Sequence, residues 1–340
     1  MTRSAILAPL LAVALCGAAP AALAGPATGV SGLKIVARIP GPDGSWDYAS
    51  FDPVRRRLYV THGTSVMMVD AGTGAVTAAF AAGLGLHAVV PVRGEVIVTT
   101  NSGDNSARII SAADGKLIAS VATGTKPDAA VLDGASGLVV VANGASGDVT
   151  LVDVKGRKSV GLIPVGGALE FTQTDGRGRL YINIESKNEI AVVDIAARKV
   201  VARWPLAGCE GPSGLAYVTG GRLISSCSNG VAPITDAATG KLIANLKIGR
   251  GPDSVLYDGV RKLAYIPCGR DGVLEVIALS GPKNNTIIDT VATQTGARTG
   301  AVDAKTGRVY LPAAQYDPPA VAGQRPKMKP GTFEVLVLGR

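Results

Sequence analysis

Short apolar runs rich in Val, Ile and Leu recur along the chain, most of them entered through a turn that carries Asp or Gly. Five of them share one form: Asp52-Pro-Val-Arg-Arg-Arg-Leu-Tyr-Val60, Asp133-Gly-Ala-Ser-Gly-Leu-Val-Val-Val141, Asp175-Gly-Arg-Gly-Arg-Leu-Tyr-Ile-Asn183, Asp258-Gly-Val-Arg-Lys-Leu-Ala-Tyr-Ile266 and Asp303-Ala-Lys-Thr-Gly-Arg-Val-Tyr-Leu311. A second turn follows further on, as in Val69-Asp-Ala-Gly-Thr-Gly-Ala-Val76 and Thr235-Asp-Ala-Ala-Thr-Gly-Lys-Leu-Ile243. Asp and Gly between β-branched runs are hairpin signals, because the turns need side-chain acceptors and positive φ. No helical period competes with this pattern.

The positions five residues before the first turn mark the start of each inner strand: Asp47, His87, Asp128, Glu170, Ser213, Asp253 and Arg298. Their spacings of 40, 41, 42, 43, 40 and 45 residues fit one four-stranded propeller blade each. The spacing predicts an all-β, seven-bladed propeller of antiparallel blades. The chain stops after Glu334-Val-Leu-Val-Leu-Gly339, a third strand without a fourth, and Leu33-Lys-Ile-Val-Ala-Arg-Ile39 supplies the missing strand from the N-terminal side. A segment over 30–40 is therefore expected to close the last blade, which removes the open sheet edge.

Composition adds a compartment. Met1-Thr-Arg3-Ser is a short basic start, Ala5 to Cys16 is apolar, and Ala22-Leu-Ala24 places small residues before a cleavage point. Residues 1–24 read as a signal peptide and 25–340 as one propeller domain, exported to a periplasmic or extracellular space with no membrane span. Three cysteines remain after cleavage, Cys209, Cys227 and Cys268. In an oxidising compartment an odd count predicts one bridge and one leftover thiol. Cys209 and Cys227 flank adjacent strands of blade 5, so they are the expected disulfide.

The Asp turn followed by Leu-Tyr-Val, with a later Val-Asp-x-x-Thr-Gly-Lys, resembles the YVTN-type propellers, and the chain is similar to exported YncE-like proteins across all seven blades. It departs from WD-repeat propellers, since Trp46-Asp47 is the only Trp-Asp pair. That resemblance implies architecture and a binding or scaffold role more than one chemistry.

In such a meander, inner-strand starts and the loops between second and third strands share one face, here called the top. It collects Asp47, His87, Asp128, Glu170, Glu210, Asp253 and Arg298, with His62, Asn101, Asn143, Glu185, Cys227 and Cys268 in the loops. Carboxylates facing one channel repel and need a cation, a proton or Arg298 to settle them. Asp128, Glu170, Asp253 and His87 are the candidate ligands of a divalent ion. Trp46, Tyr48 and Phe171 flank ring positions and would make a small aromatic platform. A Pro-rich insertion, 315–332, also falls on the top face.

The opposite face carries Arg55, Arg56, Arg57, Arg177, Arg179, Arg261 and Lys262, in keeping with a formal net charge of +8. The leading expectation is a non-enzymatic propeller that binds a small ligand, an ion or an envelope protein at the top-face mouth. A second is a lactonase-like hydrolase with a divalent ion in the channel, using His87 or His62 as general base. A third is nucleic-acid or anionic-surface binding through the basic face. There is no Gly-x-Ser-x-Gly, His-Glu-x-x-His or phosphate loop, and 4% aromatic content argues against a broad stacking surface.

Overall fold

The computed structural model describes residues 1, 31–281, 283–318 and 326–340; apart from Met1, the segment expected to be a signal peptide lies outside the described residues, as does the tip of the Pro-rich insertion. Seven four-stranded antiparallel sheets follow one another around a ring. Blade 1 is typical, with strands Ala49–Asp52, Arg57–His62, Ser65–Asp70 and Val76–Ala82 in order from inside to outside. The last blade is closed as expected: Lys34–Pro40 pairs antiparallel with Glu334–Gly339, running from Lys34 opposite Gly339 to Pro40 opposite Glu334.

Burial follows position within a blade. Second and third strands are buried on both faces, because each blade packs against two neighbours; Arg57–His62 and Glu189–Asp194 are almost wholly buried. Outermost strands alternate or stay exposed, as in Lys199–Pro205. Strands buried on both faces read as continuous apolar runs, which is the pattern that made the repeats visible.

The repeated Asp explains itself here. Asp52 Oδ1 accepts the Val54 and Arg55 amides at 2.9 and 3.1 Å, and Asp258 Oδ1 accepts those of Val260 and Arg261 at 3.0 and 2.9 Å. These carboxylates are buried, so the turn amides have to satisfy them, and two such turn carboxylates also take an arginine. Arg261 reaches Asp258 at 3.0 Å, and Arg56 of blade 1 reaches Asp303 of blade 7 at 2.7 Å. Blades 2 and 5 lack the Asp because they turn differently. Arg93-Gly94 and Gly220-Gly221 place two successive residues at positive φ, which tightens the hairpin without a side-chain acceptor.

Arginines on the bottom face also clamp neighbouring blades. Arg57 Nη1 donates to Ala112 O of blade 2 at 2.6 Å, and Arg222 Nη2 donates to Leu279 O of blade 6 at 2.9 Å. Arg261 donates to Ala304 O of blade 7 at 2.9 Å, and Arg55 to Gly94 O. Much of the basic character is thus engaged between blades.

At the top of blade 5 a disulfide joins Cys209 to Cys227, with Cα atoms 5.5 Å apart. It closes a loop whose ends are 18 residues apart, and cross-links of that size stabilise by about 3 kcal/mol. Reduction is therefore expected to lower the urea midpoint by an amount equivalent to about 3 kcal/mol; an unchanged midpoint would mean the bridge is energetically idle. Cys268 is buried in blade 6, and burial, reinforced by Glu275, pushes its thiol up to about 12.

Candidate functional site

The inner-strand starts form a ring at the top of the channel, and hydrogen bonds from neighbouring blades fix most of its backbone. Thr61 Oγ1 donates to His87 O at 2.9 Å and Thr100 Oγ1 to Asp128 O at 2.6 Å. Asn183 donates to Ser213 O at 3.0 Å, Ser213 to Pro252 O at 3.1 Å, Ser254 to Arg298 O at 3.3 Å and Thr299 to Asp47 O at 2.7 Å. Second-strand and inner-strand side chains thereby lace the ring backbone from blade to blade, so its side chains stand on a rigid base.

Below the ring two aromatic side chains cross the channel. Tyr48 of blade 1 and Phe171 of blade 4 reach toward each other and meet edge to face, ring centroids 5.0 Å apart. Ala88 and Ala129 of the intervening blades pack in the same cluster; their small size leaves room for two aromatic rings. Of the expected aromatic platform, Tyr48 and Phe171 thus form a plug, whereas Trp46 packs apart from them against Phe333 and Tyr316; the top face is a cup with Tyr48 in its floor. Burial, and then the charges of Asp253, Asp128, Asp47 and Glu170, drive the Tyr48 phenol well above its usual range.

On one wall of the cup, Asp47, His87 and Asp128 bring one ligating atom each within 4.8 Å of one another. His87 Nδ1 lies 2.7 Å from Asp47 Oδ2 and 3.7 Å from Asp128 Oδ1. Its Nε2 is 3.1 Å from Ser102 Oγ, and that hydroxyl donates to Gly85 O at 3.0 Å. With Ser102 donating to Gly85, His87 Nε2 donates to Ser102 and Nδ1 donates to Asp47, so the ring is held as the imidazolium and a cation at Nδ1 would have to displace that proton. The Asp47 hydrogen bond raises the His87 pKa, against the effect of burial. Burial raises that of Asp128, against the pull of His87. Lys126 Nζ stands at 3.9 Å from Asp128 Oδ2, half exposed.

The opposite wall is already paired. Arg298 Nε donates to Asp253 Oδ2 at 2.9 Å, Nη2 to Trp46 O at 3.2 Å, and the guanidinium lies 5.9 Å from the Trp46 ring centroid. Burial still lifts Asp253 to about 6, with Arg298 opposing. Glu170 has no ion-pair partner among the described residues. Burial, followed by the charges of Asp128, Glu185 and Asp253, pushes it up to about 8. Near neutral pH the cup therefore carries a protonated carboxyl that a bound cation would ionise.

The remaining candidates sit apart from the triad. Glu210 is exposed, and its backbone is held by Asn229 and Ser228. Asn143 is buried, donating to Asp148 at 2.7 Å and Thr150 at 2.9 Å. Glu185 is exposed in a single turn, Glu185–Lys187, close enough to add its charge to Asp128 and Glu170. His62 is buried edge-on against Phe333 at 4.7 Å, and burial lowers its pKa. Either side of the insertion's tip, Tyr316 pairs with Met328, and Tyr316 lies 6.4 Å from Trp46. Sequence reasoning missed Ser102 and the lacing threonines; the recurring Thr of the second strands was the only available signal. Among the described residues no helix is long and apolar enough to cross a membrane.

No protein-family model matches the chain, and no curated protein matches it. Among solved structures it is similar to the hydrazine synthase of Kuenenia stuttgartiensis, with a TM-score of 0.70 over 80% of this chain and 92% of that one. The identity is 16%, a likeness of fold alone. This chain is a seven-bladed β-propeller. Since 1744 solved chains match it, the architecture selects no function, and the site has to carry the argument.

Proposed function

We propose that the protein is an exported, YVTN-type binding propeller whose top-face cup takes a divalent cation through Asp47, His87 and Asp128. The observation that carries this is the triad with its outer support. Two carboxylates and one imidazole converge within 4.8 Å, and Ser102 holds the second ring nitrogen. Metal-ligating histidines are oriented in this way. Carboxylates favour hard ions and imidazole favours borderline ones, so Mn²⁺ or Zn²⁺ suits the mixed set better than Ca²⁺. Once held, the cation would present a positive centre in an otherwise acidic cup, and a small anionic ligand is the natural further occupant. Export rests on the N-terminal pattern of residues 1–24, and the disulfide is compatible with it.

We read binding first because the hydrogen bonds at both His87 nitrogens fix the ring's orientation, as a held ligand requires. One observation favours metal-dependent hydrolysis as a second reading: Glu170, protonated near neutral pH, has the pKa of a general acid. A panel of lactones and esters, assayed with and without EDTA, separates the two. Turnover lost on chelation favours hydrolysis.

The binding reading is tested by titrating metal into chelator-stripped variants. Asp128→Asn is expected to weaken affinity by about 100-fold and Ser102→Ala by about tenfold. Unaltered affinity in Asp128→Asn would remove the site. Protons compete for the same nitrogen, so affinity is expected to fall steeply on acidification through the raised pKa of His87.

A further inference from the structure

The bottom face holds a second, unrelated feature between blades 4 and 5: a cleft of about 660 Å³ lined by Tyr181, Trp204 and Tyr217, with Asp175, Arg179 and Asp236 at its rim. Tyr181 and Tyr217 stack at 5.8 Å with planes 13° apart, and Trp204 lies 6.1 Å from Tyr181. Gly220, Gly221, Ala237 and Ala238 supply the remaining turns of the wall, and such small residues leave the space open.

Internal repetition shows what the chain itself puts in this position elsewhere. Between blades 1 and 2, the arginine opening the second strand, Arg57, lays its guanidinium over Phe80 of the outermost strand, 5.8 Å from the centroid. It donates to Ala112 O, just after the next blade's third strand, at 2.6 Å. Between blades 5 and 6, Arg222 makes the equivalent bond to Leu279 O at 2.9 Å. Arg179, Trp204 and Ala237 are the corresponding residues between blades 4 and 5. There Arg179 turns aside to Asp194 at 3.4 Å, and Tyr181 Oη takes Ala237 O at 3.2 Å. An aromatic notch that the chain fills with a guanidinium at one junction is left open at this one, with a third ring added.

The charges suit the same occupant. Asp175 Oδ1 accepts the Arg177 and Arg179 amides, and Asp236 Oδ1 accepts those of Ala238 and Thr239. In each case the second oxygen has no protein partner among the described residues. Asp194 offsets Arg179, so the rim keeps a negative excess. We propose that this cleft binds a guanidinium group, which stacks on Trp204 and Tyr217 while its N–H groups meet Asp175 and Asp236. A planar, weakly hydrated cation fits aromatic faces and carboxylates together better than an ammonium does.

Titration calorimetry of the full protein with butylguanidinium, with EDTA present, tests this independently of the cup. The expected result is saturable binding at one site per chain, weaker for butylammonium and reduced about tenfold or more in Trp204→Ala. Trp204 is on an outermost strand, so this variant should keep its circular dichroism; Tyr217→Leu gives the same readout if it does not. A capped Gly-Arg-Gly peptide binding tenfold tighter than butylguanidinium would identify the source as a protein arginine, and equal affinities would identify a small free guanidinium compound. Binding unchanged in both variants overturns the proposal. So does absence of binding to the parent, including the case where only Arg179→Ala binds, because Arg179 would then be the cleft's own occupant.

Discussion

Above about pH 8, Glu170→Gln is expected to stabilise the protein by up to about 5 kcal/mol, and below about pH 4 to change little. The Glu170 carboxyl rises from its ordinary 4.5 to about 8 through burial and the nearby carboxylates Asp128, Glu185 and Asp253. A group raised in this way binds its proton more tightly folded than unfolded. Its folded form is unpenalised below the unfolded pKa, and stability is lost as pH rises from about 4.5 to about 8. Gln cannot ionise, so the variant escapes that loss. Each tenfold gain in proton affinity on folding is worth about 1.36 kcal/mol, and water in the cup makes the product a ceiling. Thermal melts of parent and variant across that range read the effect directly. Curves that stay parallel would show that Glu170 ionises freely and that the cup is not a desolvated, acidic space. A bound divalent ion should shrink the gap, because its charge stabilises the ionised carboxylate.

Tyr48→Ala is expected to cost about 3–5 kcal/mol, the range for deleting a large buried ring, whereas Tyr48→Phe should cost far less. Tyr48 is 7% exposed, meets Phe171 edge to face and packs with Ala88 and Ala129. Neither alanine can extend to fill the space a truncation would leave. Phe keeps the ring contact and loses only the hydroxyl, which stands among four carboxylates. Urea midpoints separate the outcomes. Equal losses in the two variants would mean that the hydroxyl, and not the plug, holds the cup floor.

Much of the architecture was legible because propeller strands buried on both faces are bound to read as apolar runs, with Asp/Gly turns at constant spacing. The missing outer strand of the last blade could be matched with Lys34–Pro40 because a ring has to close. The Cys209–Cys227 bridge could be placed because the two residues flank adjacent strands of one blade. Register along a strand, however, says which end a residue occupies and not which neighbour it touches. Asp253 and Asp47 hold equivalent positions, yet one is taken by Arg298 and the other by His87. His62 and Asn143 also stand at strand ends facing the top. One is covered by Phe333, distant in sequence, and the other is drawn to Asp148 within its own hairpin. Tyr48 and Phe171 are far apart along the chain and meet only because blades 1 and 4 face each other across the ring. These choices are lateral, made between blades, where the repeat pattern carries no signal.

The same distinction applies to charge. A basic face could be read from the turns, but the destinations of Arg55, Arg57 and Arg222 could not, since each donates to a backbone carbonyl of the next blade. Backbone acceptors leave no trace in side-chain composition.

The central claim is a divalent cation at Asp47, His87 and Asp128, and elemental analysis of the purified protein before and after EDTA dialysis tests it most directly. The account predicts one strippable Mn²⁺ or Zn²⁺ per chain, regained on titration near neutral pH by the parent and about 100-fold more weakly by Asp128→Asn. A folded protein that carries no metal and takes up none at millimolar concentration would contradict it.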